Sequence, residues 1–105
     1  LKASTVIGAY NINKAADFAL VRNLAAEHGP NNIRVNAIAP GLIRTDFARA
    51  LWENPTTLKH ATSSTPLRRI GEPDELAGVA VFLASRAGNF ATGQNFVVDG
   101  GQTIV

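Results

Sequence analysis

The chain contains no cysteine. That excludes disulfides, thiolate metal sites and a cysteine nucleophile, and it fits a reducing compartment, so a cytoplasmic location is expected. Charge is also scarce. Asp, Glu, Lys and Arg make up 17% of the 105 residues, and the net charge is only +2. The cations do not cluster: Arg22, Arg34, Arg44, Arg49, Arg68, Arg69 and Arg86 are scattered. Without a basic patch no nucleic-acid partner is expected, and these residues should be solvated or locally paired. The neighbours Arg68 and Arg69 could touch a phosphate or a partner chain, but a wet surface is the expectation. No apolar run approaches a membrane span and no signal-peptide pattern opens the chain, so no membrane partner is expected. Zinc signatures, a Walker loop, an EF-hand and a G-x-S-x-G elbow are all absent, and no metal site is expected. Leu1 stands where an initiator methionine would, which predicts a trimmed or truncated start.

What remains is a chain that is 46% hydrophobic, enough for one small globular domain with a modest core. Ile12, Ala15, Ala16, Ala19, Leu20, Leu24 and Ala25 are spaced for helix packing and predict a helix from about Tyr10 to Glu27, stopped by Gly29-Pro30. Its alanines allow close approach on more than one face, which suits a helix lying on a sheet with a second helix behind it. A short, β-branched run from Ile33 to Ala39 predicts a strand, with ladder pairing ending at Pro40-Gly41. Thr45-Asp46 can cap a short helix through Leu51 and Trp52. Asn54-Pro55 marks a break, Thr56 to Ser64 a polar, weakly helical cover, and Pro66 to Gly71 a turn-rich connector. Glu72-Pro73-Asp74-Glu75 is a strong helix start, and the apolar stripe behind it runs to about Ser85. Asn95 to Val98 predicts a second strand, closed by Asp99-Gly100-Gly101. Helix, strand, small helices, helix and strand in alternation predict an α/β sheet with parallel strands. Two strands make a poor parallel sheet, so the sequence looks like half of a larger one.

Tyr10 and Lys14 stand four apart at the head of the first helix, hence one turn apart on one face. A phenol has a pKa of about 10, and a fixed cation nearby favours its phenolate. A tyrosine so tuned exchanges a proton with a substrate oxygen near neutral pH, and lysine has donors left for a sugar hydroxyl. Alone, the pair is equally a surface coincidence with a small electrostatic effect. His28 sits beside the helix-ending Gly29, where capping explains it better than chemistry. His60 has no metal-ligand partner at useful spacing. Asp99 is explained by an Asx turn, and Ser4 by an ordinary loop hydroxyl.

The Tyr-x-x-x-Lys helix, the strand IRVNAIAPG, the segment PLRRIGEPDELAGVAVFLAS and the ending TGQNFVVDGG together resemble the short-chain dehydrogenase/reductase family. The resemblance covers essentially the whole chain. It implies the C-terminal half of a Rossmann-like, doubly wound parallel sheet, with residues 1–105 forming part of an NAD(P)-binding domain. That part comprises a catalytic helix, a substrate lid at about residues 42–70, and a last helix and strand. It makes Tyr10 the general acid/base and gives Lys14 the tasks of lowering the phenol pKa and holding the nicotinamide ribose. Pro40-Gly41-Leu42-Ile43-Arg44-Thr45 matches the family's Pro-Gly-x-x-x-Thr, implying that backbone at Ile43 and the hydroxyl of Thr45 meet the carboxamide of NAD or NADP. Leu42, Phe47, Leu51 and Trp52 are candidates to line a substrate pocket. For the last three, simple packing of the lid is an equal alternative.

The resemblance also implies pieces that this chain does not hold. No G-x-G-x-x-G is present to take the pyrophosphate, and the residues that choose NAD over NADP belong upstream. The family's Asn-Asn-Ala-Gly segment and its catalytic serine lie there too. The residue before the lysine is often serine in the family and is Asn13 here. The expected function is interconversion of a ketone and a secondary alcohol with NAD(P), in a homo-dimer or homo-tetramer. The alternative is a non-catalytic fragment that serves only in binding or assembly.

Overall fold

The computed structural model describes the backbone of residues 8–105 and the side chains of residues 14–105. Ser4, and the side chains of Tyr10, Ile12 and Asn13, lie outside the described residues. By internal packing the chain divides into two compact units, Leu1–Ala37 with Phe82–Phe96 and Ile38–Val81 with Val97–Val105.

In the first unit the main element is helix α1, Gly8–His28. Its end follows from Gly29-Pro30, which carry the chain into one 3-10 turn closed by a left-handed Asn32, φ 59°. His28 makes no side-chain capping bond to that turn. The half-buried and buried positions of α1 are Lys14, Phe18, Val21, Leu24, Ala25 and His28, a single stripe at helical spacing. The opposite face is open: Ala15, Ala16, Ala19 and Leu20 are exposed. The helix expected against this back is therefore not supplied by the described residues.

The predicted strand Ile33–Ala39 is shorter and later than expected: β1 is Ala37–Pro40. Residues 34–36 are held by other bonds. The Arg34 guanidinium donates to the Leu83 carbonyl at 2.6 Å and the Ala91 carbonyl at 3.3 Å. The Asn36 side chain donates to Ala91 O and accepts from Gln94 N–H, while Val35 N–H donates to the Thr92 hydroxyl. Two polar side chains thus take over backbone groups that a ladder would have used. Strand β2, Asn95–Val98, forms where expected. It pairs with β1 in a two-stranded sheet. The bonds Ala37 N–H to Gln94 O and Gly41 N–H to Val98 O, each 2.9 Å, advance in step and make the pairing parallel. Pairing therefore continues through Pro40 to Gly41. Alternate N–H groups face the partner strand, and the nitrogen of Pro40 faces away from it, where its missing hydrogen costs nothing.

The second unit holds the small helices and most of α4, Asp74–Ala84. The Glu75 carboxylate accepts from Glu72 N–H at 3.0 Å, which satisfies a donor ahead of the helix. Helix α2 covers only Arg49–Trp52 and has Ala48 at its N-cap with no side-chain cap. The expected cap from Thr45-Asp46 is thus displaced: Thr45 Oγ1 takes Ala48 N–H at 3.3 Å, and Asp46 pairs with Arg49 instead. Asn54-Pro55 is the expected break, separating α2 from the next helix, and it also starts that helix. Asn54 accepts from the N–H groups of Thr56 and Thr57, with Pro55 opening α3, Pro55–Thr62.

Buried apolar side chains among the described residues are few: Ala25 in the first unit, Ile43 and Ile70 in the second. Helix α4 is strongly apolar yet has no buried residue, and Val81, Phe90 and Val97 stand exposed. Among the described residues no helix is long and apolar enough to cross a membrane.

Candidate active site

Positions 10 and 14 lie one turn apart in the first turns of α1. Lys14 is half-buried and engaged in an interaction. The Tyr10 side chain lies outside the described residues.

The loop leaving β1 is defined closely. Gly41 brings its backbone against Asp99: a Cβ built there would lie 2.7 Å from Asp99 Cα and 2.8 Å from Asp99 Cβ. Only glycine fits without displacement. Beyond it, residue 43 bridges residue 71 in parallel fashion. Gly71 N–H donates to Leu42 O, and Arg44 N–H donates to Gly71 O, both at 2.9 Å. In such a bridge the flanking residues make the bonds, and the N–H and C=O of Ile43 face the other way. Neither is hydrogen-bonded among the described residues, while the Ile43 side chain is buried and its Cδ1 occupies the space a Gly71 side chain would need. Two residues on, Thr45 Oγ1 accepts from Ala48 N–H. Its hydrogen has no acceptor among the described residues. The loop thus presents one N–H donor, one C=O acceptor and one O–H donor, a set that suits the two lone pairs of a primary carboxamide's oxygen and one of its N–H groups.

The second unit also contains a cavity of about 300 Å³. Leu42, Ile43, Leu51, Leu67 and Val98 form its apolar walls. Its polar side chains are already satisfied. Arg69 grips Glu75 with two bonds of 2.6 and 2.7 Å. Thr65 donates to Gln102 Oε1 at 2.7 Å. Asp99 accepts from Gly101 N–H and Thr103 N–H, both 2.9 Å, the expected Asx turn. The Arg69 hydrogen bond holds the Glu75 carboxyl down to about 2 and raises the guanidinium in return. Partial burial pushes Asp99 up, but the bonds from Gly101 and Thr103 outweigh it and keep the carboxyl below its ordinary value. With its ionic groups paired, the cavity suits apolar matter.

Of the four apolar lid candidates, Leu42 and Leu51 face this cavity. Phe47 is fully exposed. Trp52 turns its indole onto the loop, donating from Nε1 to Thr45 O at 2.8 Å. Sequence spacing did not reveal this bond, nor the Arg69–Glu75 pair, because residues 45–52 and 69–75 each run from a loop into a helix start and share no single regular element. Arg68 is not simply solvated; its guanidinium donates to Thr65 O at 2.6 Å and its φ is 53°. Among the described residues no group of three or more His, Asp or Glu is placed to hold a metal ion.

A polar loop at the carboxyl end of a parallel strand is where open α/β proteins bind their ligands. The profile of the enoyl-(acyl carrier protein) reductase family matches residues 1–103. Dehydrogenase/reductase SDR family member 4 of Bos taurus is 45% identical over 95 residues, which are 90% of this chain and 34% of that protein. The human protein of the same name is 44% identical over 92 residues, 88% of this chain and 33% of its own length. A solved short-chain type dehydrogenase/reductase from Mycobacterium ulcerans superposes with a TM-score of 0.89 at 42% identity, covering 97% of this chain and 37% of that one. A 4-hydroxyisoleucine dehydrogenase complexed with NADH gives 0.88 at 37% identity, covering 92% and 40%. The chain belongs to the short-chain dehydrogenase/reductase family, and its fold is the C-terminal part of that family's Rossmann-like domain. It spans about a third of the length of the curated relatives it matches.

Proposed function

We propose that the protein carrying this chain is an NAD(P)-dependent oxidoreductase of the cytoplasm that interconverts a ketone and a secondary alcohol. The observation that carries this reading is the set of groups left open at Ile43 and Thr45, two donors and one acceptor at the end of β1, which suit a carboxamide's oxygen and one of its N–H groups. The nicotinamide, when bound, supplies or accepts the hydride. Ile43 and Thr45 fix its carboxamide, and Pro40-Gly41 bring the backbone to it. Tyr10 gives a proton to the carbonyl oxygen in reduction and removes it from the alcohol in oxidation. Lys14 sets the acidity of Tyr10 and holds the ribose. Leu42 and Leu51 meet the apolar part of a small carbonyl substrate. Use of NAD or NADP is supported by the NADH complex of the 4-hydroxyisoleucine dehydrogenase. It is supported also by a Beutenbergia cavernae protein, 34% identical and described as an NAD(P)-dependent gluconate 5-dehydrogenase with bound NADP.

The test is Tyr10→Phe in the full protein. Phe keeps the ring and deletes the proton, so carbonyl reduction should fall by about 10²- to 10⁴-fold. Reduction near the original rate would refute the role.

The exposed apolar residues Leu20, Val81, Phe90 and Val97 favour a second reading, in which the 105 residues act in assembly. Large apolar side chains left in water are what a subunit contact would cover, and a homo-dimer or homo-tetramer of the enzyme would use them in the same way. Titrating the 105-residue chain with NADH and NADPH tests what the piece does by itself. Weak or no binding is expected of a chain without a phosphate cradle, and micromolar affinity would contradict that expectation.

A further inference from the structure

We propose that Trp52 is a positioning residue for nicotinamide binding, acting through Thr45: the lid helix α2 holds the loop hydroxyl that engages the carboxamide. This rests on the oxidoreductase reading above and adds to it a residue that touches neither cofactor nor reacting atoms.

The indole N–H is a donor only, and it is spent on Thr45 O at 2.8 Å. The ring that carries it is itself fixed. The Arg44 guanidinium carbon lies 5.1 Å from the ring centroid and that of Arg49 5.5 Å, both within cation–π range. Each guanidinium is held by a carboxylate: Arg44 Nε to Glu72 Oε1 at 2.9 Å, and Arg49 to Asp46 Oδ1 at 2.8 Å. The residues on either side of Thr45 are therefore tied into the same cluster, Arg44 directly and Asp46 through Arg49. Arg44 is anchored a second time by its backbone bond to Gly71 O.

The local bonds of Thr45 to Ala48 set the direction of its hydroxyl but move with the loop. The indole bond refers the loop to a separate element. A hydroxyl that must meet one amide oxygen loses effectiveness when its support loosens by a fraction of an ångström. Removing the indole N–H should then weaken what binds at the nicotinamide end and leave the adenosine end alone.

The experiment is calorimetric titration of the full protein with NADH, NADPH, ADP-ribose and 2′-phospho-ADP-ribose, the last two lacking the nicotinamide. Trp52→Phe keeps a ring for both guanidiniums and deletes the N–H. Its Kd for the preferred dinucleotide should rise about three- to tenfold, with the matching ADP-ribose bound as in wild type. Thr45→Ala should weaken the dinucleotide at least as much, and adding Trp52→Phe to it should cost nothing more. If Trp52→Phe does not fold, Glu72→Ala, which removes the acceptor of Arg44, should show the same pattern on a smaller scale. Unchanged dinucleotide affinity, equal losses for dinucleotide and ADP-ribose, or additive effects with Thr45→Ala would overturn the proposal. The two readings fail differently. If wild type binds neither dinucleotide, the oxidoreductase reading falls and takes this one with it. If Lys14→Ala weakens the dinucleotide while Trp52→Phe does not, only the role of Trp52 falls.

Discussion

Gly41→Ala puts one methyl group where β1 meets the Asp99 turn. Built on the existing backbone, the new carbon would lie 2.7 Å from Asp99 Cα, 2.8 Å from its Cβ and 3.1 Å from its carbonyl oxygen. Carbon atoms pack at about 3.5–4.0 Å, so something must retreat by about 1 Å. Asp99 has little room to do so. Its carboxylate holds Gly101 N–H and Thr103 N–H. The turn that follows needs Gly100 at φ 66° and Gly101 at φ 93°, packed on Thr65 and Pro66. If the strand retreats instead, the 2.9 Å bond from Gly41 N–H to Val98 O lengthens. Overpacking costs about 1–3 kcal/mol and a lost hydrogen bond about 0.5–1.5 kcal/mol, so the variant should lose roughly 2–4 kcal/mol. Urea unfolding of the full protein reads this as a lower midpoint with an unchanged slope. Gly78→Ala is the control. It sits in α4 with nothing within 4 Å of the added carbon, and should gain about 0.5–1 kcal/mol from helix propensity. A Gly41→Ala protein within about 0.5 kcal/mol of wild type, an ordinary surface effect, would refute the close approach.

Glu75 has its folded pKa depressed to about 2 by Arg69. A depressed carboxylate stabilises fully above its ordinary value of 4.5 and loses that contribution as pH falls toward the folded value. The gap in urea midpoint between wild type and Glu75→Gln should accordingly narrow from pH 6 through 4.5 to 3; a constant gap would sink the assignment. Asn54→Ala removes the acceptor of two N–H groups at the start of α3 and should cost about 1 kcal/mol. Asn54→Asp should retain most of it, and equal losses in both would point to packing rather than capping. Phe47 is fully exposed, so Phe47→Ser should change stability by less than about 0.5 kcal/mol; a larger loss in thermal unfolding would show that the side chain is covered in the full protein.

Where a residue's neighbours in sequence decide its conformation, the sequence was readable. Helix α1 ends at Gly29-Pro30, α4 begins just behind Glu72-Pro73, and β2 occupies Asn95–Val98 as expected. Errors arose where a side chain bonds to a distant backbone. Arg34 and Asn36 interrupt what looked like a uniform apolar strand, and their polarity at alternate positions was the available sign that this stretch serves other partners. The break at Asn54-Pro55 and the helical cover behind it were legible for the same local reason, since asparagine caps and proline opens α3. The loop from Pro40 to Thr45 was recognisable as a motif. Its open donor set was not, because it depends on the bridge to Gly71, 28 residues beyond Ile43.

The scarcity of core has one further consequence. Helix α4 is the most apolar helix and buries none of its residues, while the back of α1 exposes Leu20. Local signals suffice to form both helices, but burial is what makes helices persist in water. At about 25 cal/mol per Å², each of these exposed side chains represents stabilisation that only further protein surface can realise. Further residues of a longer protein or another subunit would supply such surface. These possibilities separate by concentration: a subunit contact makes the unfolding midpoint rise with protein concentration, and an intrachain contact does not.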